Sequence, residues 1–137
     1  MWRVSLIVLL LAGCVQLPPS PQDIQAKKFE SLPGKAVIYI VRNRMDSQEA
    51  SGLLLDDTAQ ITTLPRSYYR WEVAPGTHRI AGFAESNALV VLRAEAGKIY
   101  FLRHTVLGTR RSGAQFADLR QVSEQEGRAL VMNAQLL

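Results

Sequence analysis

Between Lys35 and Val122 the chain is divided into short apolar runs. They are separated by a polar loop after Arg42 and by turn residues such as Asp56-Asp57, Pro65, Pro75-Gly76 and Gly97, which gives a strand spacing of about 8–12. That rhythm leaves room for strands and turns rather than long helices, and it predicts an all-β, antiparallel sandwich. Lys35-Ala-Val-Ile-Tyr-Ile-Val-Arg42 is rich in β-branched and aromatic residues and reads as a buried strand. Leu53-Leu-Leu55 and Gln60 to Leu64 read as a hairpin turning at Asp56 to Ala59.

In Tyr68 to Val73, Tyr69, Trp71 and Val73 share one face while Tyr68, Arg70 and Glu72 share the other. The first set is expected in the core and the second outside. Ala74-Pro75-Gly76-Thr77 reads as a tight turn into a return strand, His78 to Ala84. Ala88 to Ala94 and Lys98 to Leu107 are expected to pair across Glu95-Ala96-Gly97, and Gln115 to Val122 to form a last strand. Ser123 and Glu126 have the spacing of a capping box, which predicts a short C-terminal helix reaching Leu136 and weakened slightly by Gly127.

The N-terminus is of a different character. Met1-Trp2-Arg3 carries positive charge, and Val4 to Ala12 is an apolar run of signal-peptide length, too short for a spanning helix before Pro18 and Pro19. The Leu11-Ala12-Gly13-Cys14 that follows resembles the lipobox of bacterial lipoproteins. The resemblance implies cleavage between Gly13 and Cys14, and acylation of Cys14, palmitate included. Residues 1–13 are then a signal peptide, 14–33 a lipidated cysteine with a Pro-rich tether, and 34–137 the sandwich domain. Within the tether, Asp23 to Glu30 has the pattern of a short helix, with Ile24 and Phe29 as its apolar contacts. Lys27-Lys28 reads either as a solvated pair or as a contact to anionic headgroups. Val15 and Gln16 after the cysteine, rather than Asp, imply an outer-membrane anchor facing the periplasm.

From Lys35 to Arg128 the chain resembles an uncharacterised family of domains found in bacterial envelope lipoproteins. The residues that carry the likeness are the Lys35–Arg42 run, Leu55-Asp56, Tyr69 leading into Val73-Ala74-Pro75-Gly76-Thr77-His78, Gly97-Lys98-Ile99-Tyr100-Phe101, and Glu126-Gly127-Arg128. The Pro75–His78 segment also resembles PEGA modules, small β-sandwiches at the cell surface. Asp56-Asp57 stands where that pattern often has Asp-Gly. The resemblance implies an immunoglobulin-like or PEGA-like sandwich, and it brings no catalytic residues with it.

One cysteine excludes an internal disulfide, and two histidines make a multi-histidine metal site a poor expectation. Removing Arg3 with the signal leaves fifteen basic and twelve acidic residues, a net charge of +3, too modest to suggest nucleic acid. No nucleophile elbow is present. Tyr68 and Arg70 are the candidate binding face, for an envelope protein or a glycan. His78 and His104 are the candidates for an alternative reading as an envelope hydrolase, although no spacing places either beside an acid such as Asp56 or Asp57. Asp56-Asp57 offers too few oxygens for a calcium loop. The expectation is therefore a membrane-tethered, non-catalytic binding or structural module. It has no cofactor or metal, and its lasting partner is the lipid bilayer, through acylated Cys14.

Overall fold

The computed structural model describes residues 18–43, 47–83, 88–109, 111 and 114–137. The expected signal peptide, the expected cleavage position at Gly13 and Cys14, and the expected lipidation of Cys14 lie outside these residues. The described chain is mostly strand, in two sheets, with a short helix near each end.

Among the described residues nine strands form: β1 (Ala36–Arg42), β2 (Ser51–Leu55), β3 (Ala59–Thr63), β4 (Ser67–Val73), β5 (Gly76–Gly82), β6 (Leu89–Ala94), β7 (Ile99–Thr109), β8 (Ala114–Val122) and β9 (Gln135–Leu136). The helices are α1 (Pro21–Ala26) and α2 (Glu124–Met132). One sheet has the order β8-β7-β1-β4-β9 and the other β3-β2-β5-β6. Pairing is antiparallel except between β1 and β7 and between β4 and β9.

The five-stranded sheet has a partner layer on each face. Ala36, Ile38 and Ile40 point to the four-stranded sheet and join Leu53, Leu55, Ile80, Leu92, Leu102 and Val106 in one core. Val37, Tyr39 and Val41 point the other way, into a second core with Ala26, Phe29, Tyr68, Phe101 and Val131. Every residue of β1 is buried for this reason, and its run is apolar without alternation because neither face meets water. Each such aliphatic or aromatic side chain contributes about 1.5–3 kcal/mol when fully buried.

The second core draws on residues that precede Gly34. Residues 21–33 are not merely a tether: Ala26 and Phe29 are buried, Ile24 is exposed, and α1 is packed on the sheet. Ser20 caps α1 by accepting from the Asp23 amide at 3.1 Å, and Pro21 starts it where no donor is needed.

Two expected hairpins are instead passages between sheets. β4 pairs with β1 in one sheet, whereas β5, after Pro75, pairs with β2 and β6 in the other. Likewise β6 pairs with β5, and β7, after Gly97, joins β1 and β8. The β2–β3 hairpin forms as expected, with Asp56 and Asp57 both in the left-handed region (φ 50° and 59°) that Gly would otherwise fill.

At the C-terminus Ser123 caps α2 through the Glu126 amide at 3.2 Å, but the Glu126 carboxylate is engaged by Arg103 Nη1 at 2.6 Å. The helix stops at Met132, and Gln135–Leu136 leave it to extend the five-stranded sheet. No helix among the described residues is long and apolar enough to cross a membrane.

Candidate functional site

The structure splits the expected Tyr68–Arg70 face. Tyr68 is fully buried, because α1 and the residues after α2 cover the side of β4 that alternation leaves to solvent. Its hydroxyl donates to the Asp23 carboxylate at 2.5 Å. Asp23 also accepts from Lys27 Nζ at 3.0 Å and from the Leu136 amide at 3.2 Å. Burial alone would raise the Asp23 pKa, but the bonds from Tyr68, Lys27 and Leu136 outweigh it and hold the carboxyl below its ordinary range. Lys27 is thus not a free, solvated cation. It pairs with Asp23, donates to the Ala134 carbonyl at 2.7 Å and lies over the Tyr68 ring.

Arg70 remains half-exposed. Its Nη1 donates to Glu72 Oε1 at 2.5 Å on the same strand face. Both residues line a groove of about 660 Å³ between β4 and α1, with Gln22, Gln25 and Glu30 on the helix side and Leu136 at one end. This volume lies within the usual range for ligand sites.

The groove is also bounded by backbone. Tyr68 turns its carbonyl away from β1 to accept from the Leu137 amide at 3.0 Å. Strand alternation then directs the N–H and C=O of Arg70 and Glu72 to that same outer edge. β9 pairs only with Ser67 and Tyr68, so among the described residues no strand covers the edge at Arg70 and Glu72.

Neither histidine lines this groove. His78 does meet an acid. The β2–β5 register sets Leu55 opposite Ile80, which carries the adjoining turn up to His78 and Arg79. His78 Nδ1 lies 2.6 Å from Asp56 Oδ2, and Nε2 lies 2.7 Å from the Ala74 carbonyl. Burial lowers its pKa, but the bonds to Asp56 and the Ala74 carbonyl reverse this and leave it raised. Trp71 packs edge-on against the ring at 5.4 Å. With both nitrogens committed to internal acceptors, His78 ties the β2–β3 turn to the corner between the sheets. The Asp56 carboxylate also accepts from the Arg79 amide at 2.8 Å, and Asp57 pairs with the Arg79 guanidinium, so each acid has a cationic or amide partner.

His104 lies fully buried between the sheets, beside a residue that the sequence marks only as a strand end. That residue is Arg42, 1% exposed, whose guanidinium donates to the carbonyls of Thr63 (3.1 Å), Ser47 and Glu49 (both 2.7 Å). Thr63 Oγ1 lies 3.1 Å from the Ser51 carbonyl and 3.0 Å from His104 Nδ1. Since the single hydroxyl hydrogen goes to Ser51, the His104 proton is assigned to Nδ1. Nε2 then carries a lone pair, and it has no partner among the described residues. Burial first, and the Arg42 charge second, push the His104 pKa down to about 4, so the ring is neutral.

Among the described residues no three His, Cys, Asp or Glu side chains converge as metal ligands. No family model, curated protein or solved structure matches the chain. Sequence reasoning passed over Glu30, Gln22, Gln25 and Arg42. The first three stand in a segment that reads as tether, and nothing local signals the burial of Arg42.

Proposed function

We propose that this chain is a lipid-anchored, non-catalytic binding module of the bacterial cell envelope, with an immunoglobulin-like or PEGA-like sandwich as its body. The observation that carries the binding role is the groove between α1 and β4. It combines a charged pair, amide side chains and an open strand edge. The anchor rests on the Arg3 charge, the apolar run and Leu11-Ala12-Gly13-Cys14.

The same reading accounts for the histidines. A general base needs a ring nitrogen within reach of substrate. His78 spends both of its nitrogens on Asp56 and Ala74, and His104 is sealed between the sheets. Their roles in this reading are mechanical.

One acyl chain holds a protein only reversibly at a bilayer, whereas the two or three that lipobox processing attaches make the hold lasting. The anchor keeps the groove at the membrane surface, the outer membrane facing the periplasm being the expected address. Intact mass of the membrane-extracted protein tests this reading. A mass lacking residues 1–13 and carrying acyl chains, with Cys14→Ala unprocessed or released, is the expected result. An unacylated Cys14 in the wild type overturns the anchor.

A further inference from the structure

The carbonyls on the outer edge of β4, together with that of Arg66 just before it, form a ladder that is half filled. Arg66 accepts from the Gln135 amide at 2.8 Å and Tyr68 from the Leu137 amide at 3.0 Å. The next two rungs, Arg70 and Glu72, have the same outward phase, and the groove lies alongside them. An uncovered edge of this kind is a template for another strand.

We infer that the groove takes an extended peptide segment of a partner protein, which adds to β4 at Arg70 and Glu72 as a strand and brings a basic side chain to Glu30. This inference deepens the binding role proposed above and rests on it.

Three features select a peptide. The rungs offer one donor and one acceptor at alternate residues, the pattern that an extended backbone answers in kind. Gln22 and Gln25, across the groove on α1, bring side-chain amides to the far side of an inserted strand. The bordering charges are Glu30 and Glu72 against Arg70, and Arg70 is already neutralised by Glu72. Glu30 is left as the unbalanced charge, bonded among the described residues by the neutral amide of Gln25 at 3.0 Å. A Lys or Arg on the incoming segment balances it. β9 shows that this edge accepts strands, since two residues of the chain already occupy its first rungs.

The test uses the full-length chain extracted from membranes in mild detergent, with a phage-displayed library of random peptides as probe. The selection is run in parallel on Gln25→Trp, which fills the groove from an exposed helix position, and on Glu30→Lys. Thermal melts confirm that both variants are folded. The expected result is a set of basic peptides that shift the amide resonances of Arg70 and Glu72. These peptides should bind Gln25→Trp or Glu30→Lys about tenfold more weakly, and lose about as much when alternate backbone amides are N-methylated.

Equal enrichment on wild type and Gln25→Trp, including no enrichment on either, overturns the inference. So do peptides indifferent to N-methylation, or shifts confined to other strands. A self-associated chain whose Arg70 and Glu72 amides are protected without peptide gives the edge to a second copy, and overturns it too. The intact mass of the same preparation reports Cys14 acylation separately, so the anchor and the groove fail or survive independently.

Discussion

Gly127 sits so close to Phe101 that a Cβ built on it would lie 2.2 Å from the ring carbon Cγ and 2.3 Å from Cβ. The missing side chain lets α2 settle directly onto β7. In an ordinary helix interior, Gly→Ala stabilises by about 1 kcal/mol. Here Gly127→Ala is expected to destabilise, by about 1–3 kcal/mol, because both Phe101 and the helix backbone must move. Urea unfolding measures the sign. Pairing it with Phe101→Leu, which trims the opposing ring, is expected to recover part of the loss relative to the sum of the single variants.

His78 governs stability on the alkaline side. Its folded pKa is raised above 6.5, so its contribution is complete below that value and is lost as pH rises through the folded pKa. Wild type is expected to exceed His78→Ala by about 1 kcal/mol in mildly acidic buffer, a figure reduced by the exposure of Asp56. The gap should narrow in mildly alkaline buffer. A gap independent of pH would remove the Asp56 pair as its cause.

His104 acts in a different window. Its folded pKa of about 4 lies below the ordinary imidazole value of 6.5. As pH falls between those values the unfolded chain takes up a proton that the folded chain refuses, and stability drops by about 3 kcal/mol in total. His104→Gln should cost stability at neutral pH yet flatten this acid slope. Denaturant midpoints collected across the interval test it.

Asp23 takes over below that. With its pKa held under 3.8, its contribution is present above that value and lost as pH falls through the folded pKa. Asp23→Asn is expected to cost about 2–3 kcal/mol at neutral pH, because Lys27 and Tyr68 lose a charged partner. It should also loosen α1, which proteolysis at Lys27 and Lys28 would report as faster cleavage.

The elements visible in the sequence are those fixed by neighbours along the chain. The β1 run, the β2–β3 turn at Asp56-Asp57 and the Ser123 cap each depend on local chemistry, and each is found where expected. Pro75-Gly76 and Ala96-Gly97 announce a turn but not which sheet the next strand joins, since a corner and a hairpin use the same residues. Alternation in β4 correctly separates Tyr69, Trp71 and Val73 from Tyr68 and Arg70. It cannot reveal that helices cover the second face, and so Tyr68 reads as surface. The groove escapes for a related reason: its walls, Gln25 and Arg70, are distant in sequence and meet only because α1 docks beside β4.

β1 is paired on one side with β4 and on the other, in parallel, with β7. The strand that begins the sheet therefore gains its second neighbour only after residues 43–98 have followed it. Loops of this length must close before their contacts repay the lost entropy, which slows folding. Neither the first half of the chain nor the second carries a complete core, so a nascent or threading polypeptide stays open until Ile99–Thr109 is free to join. A chain cut short of β7 is expected to collect as an aggregation-prone fragment with β1 uncovered, rather than as a smaller working domain.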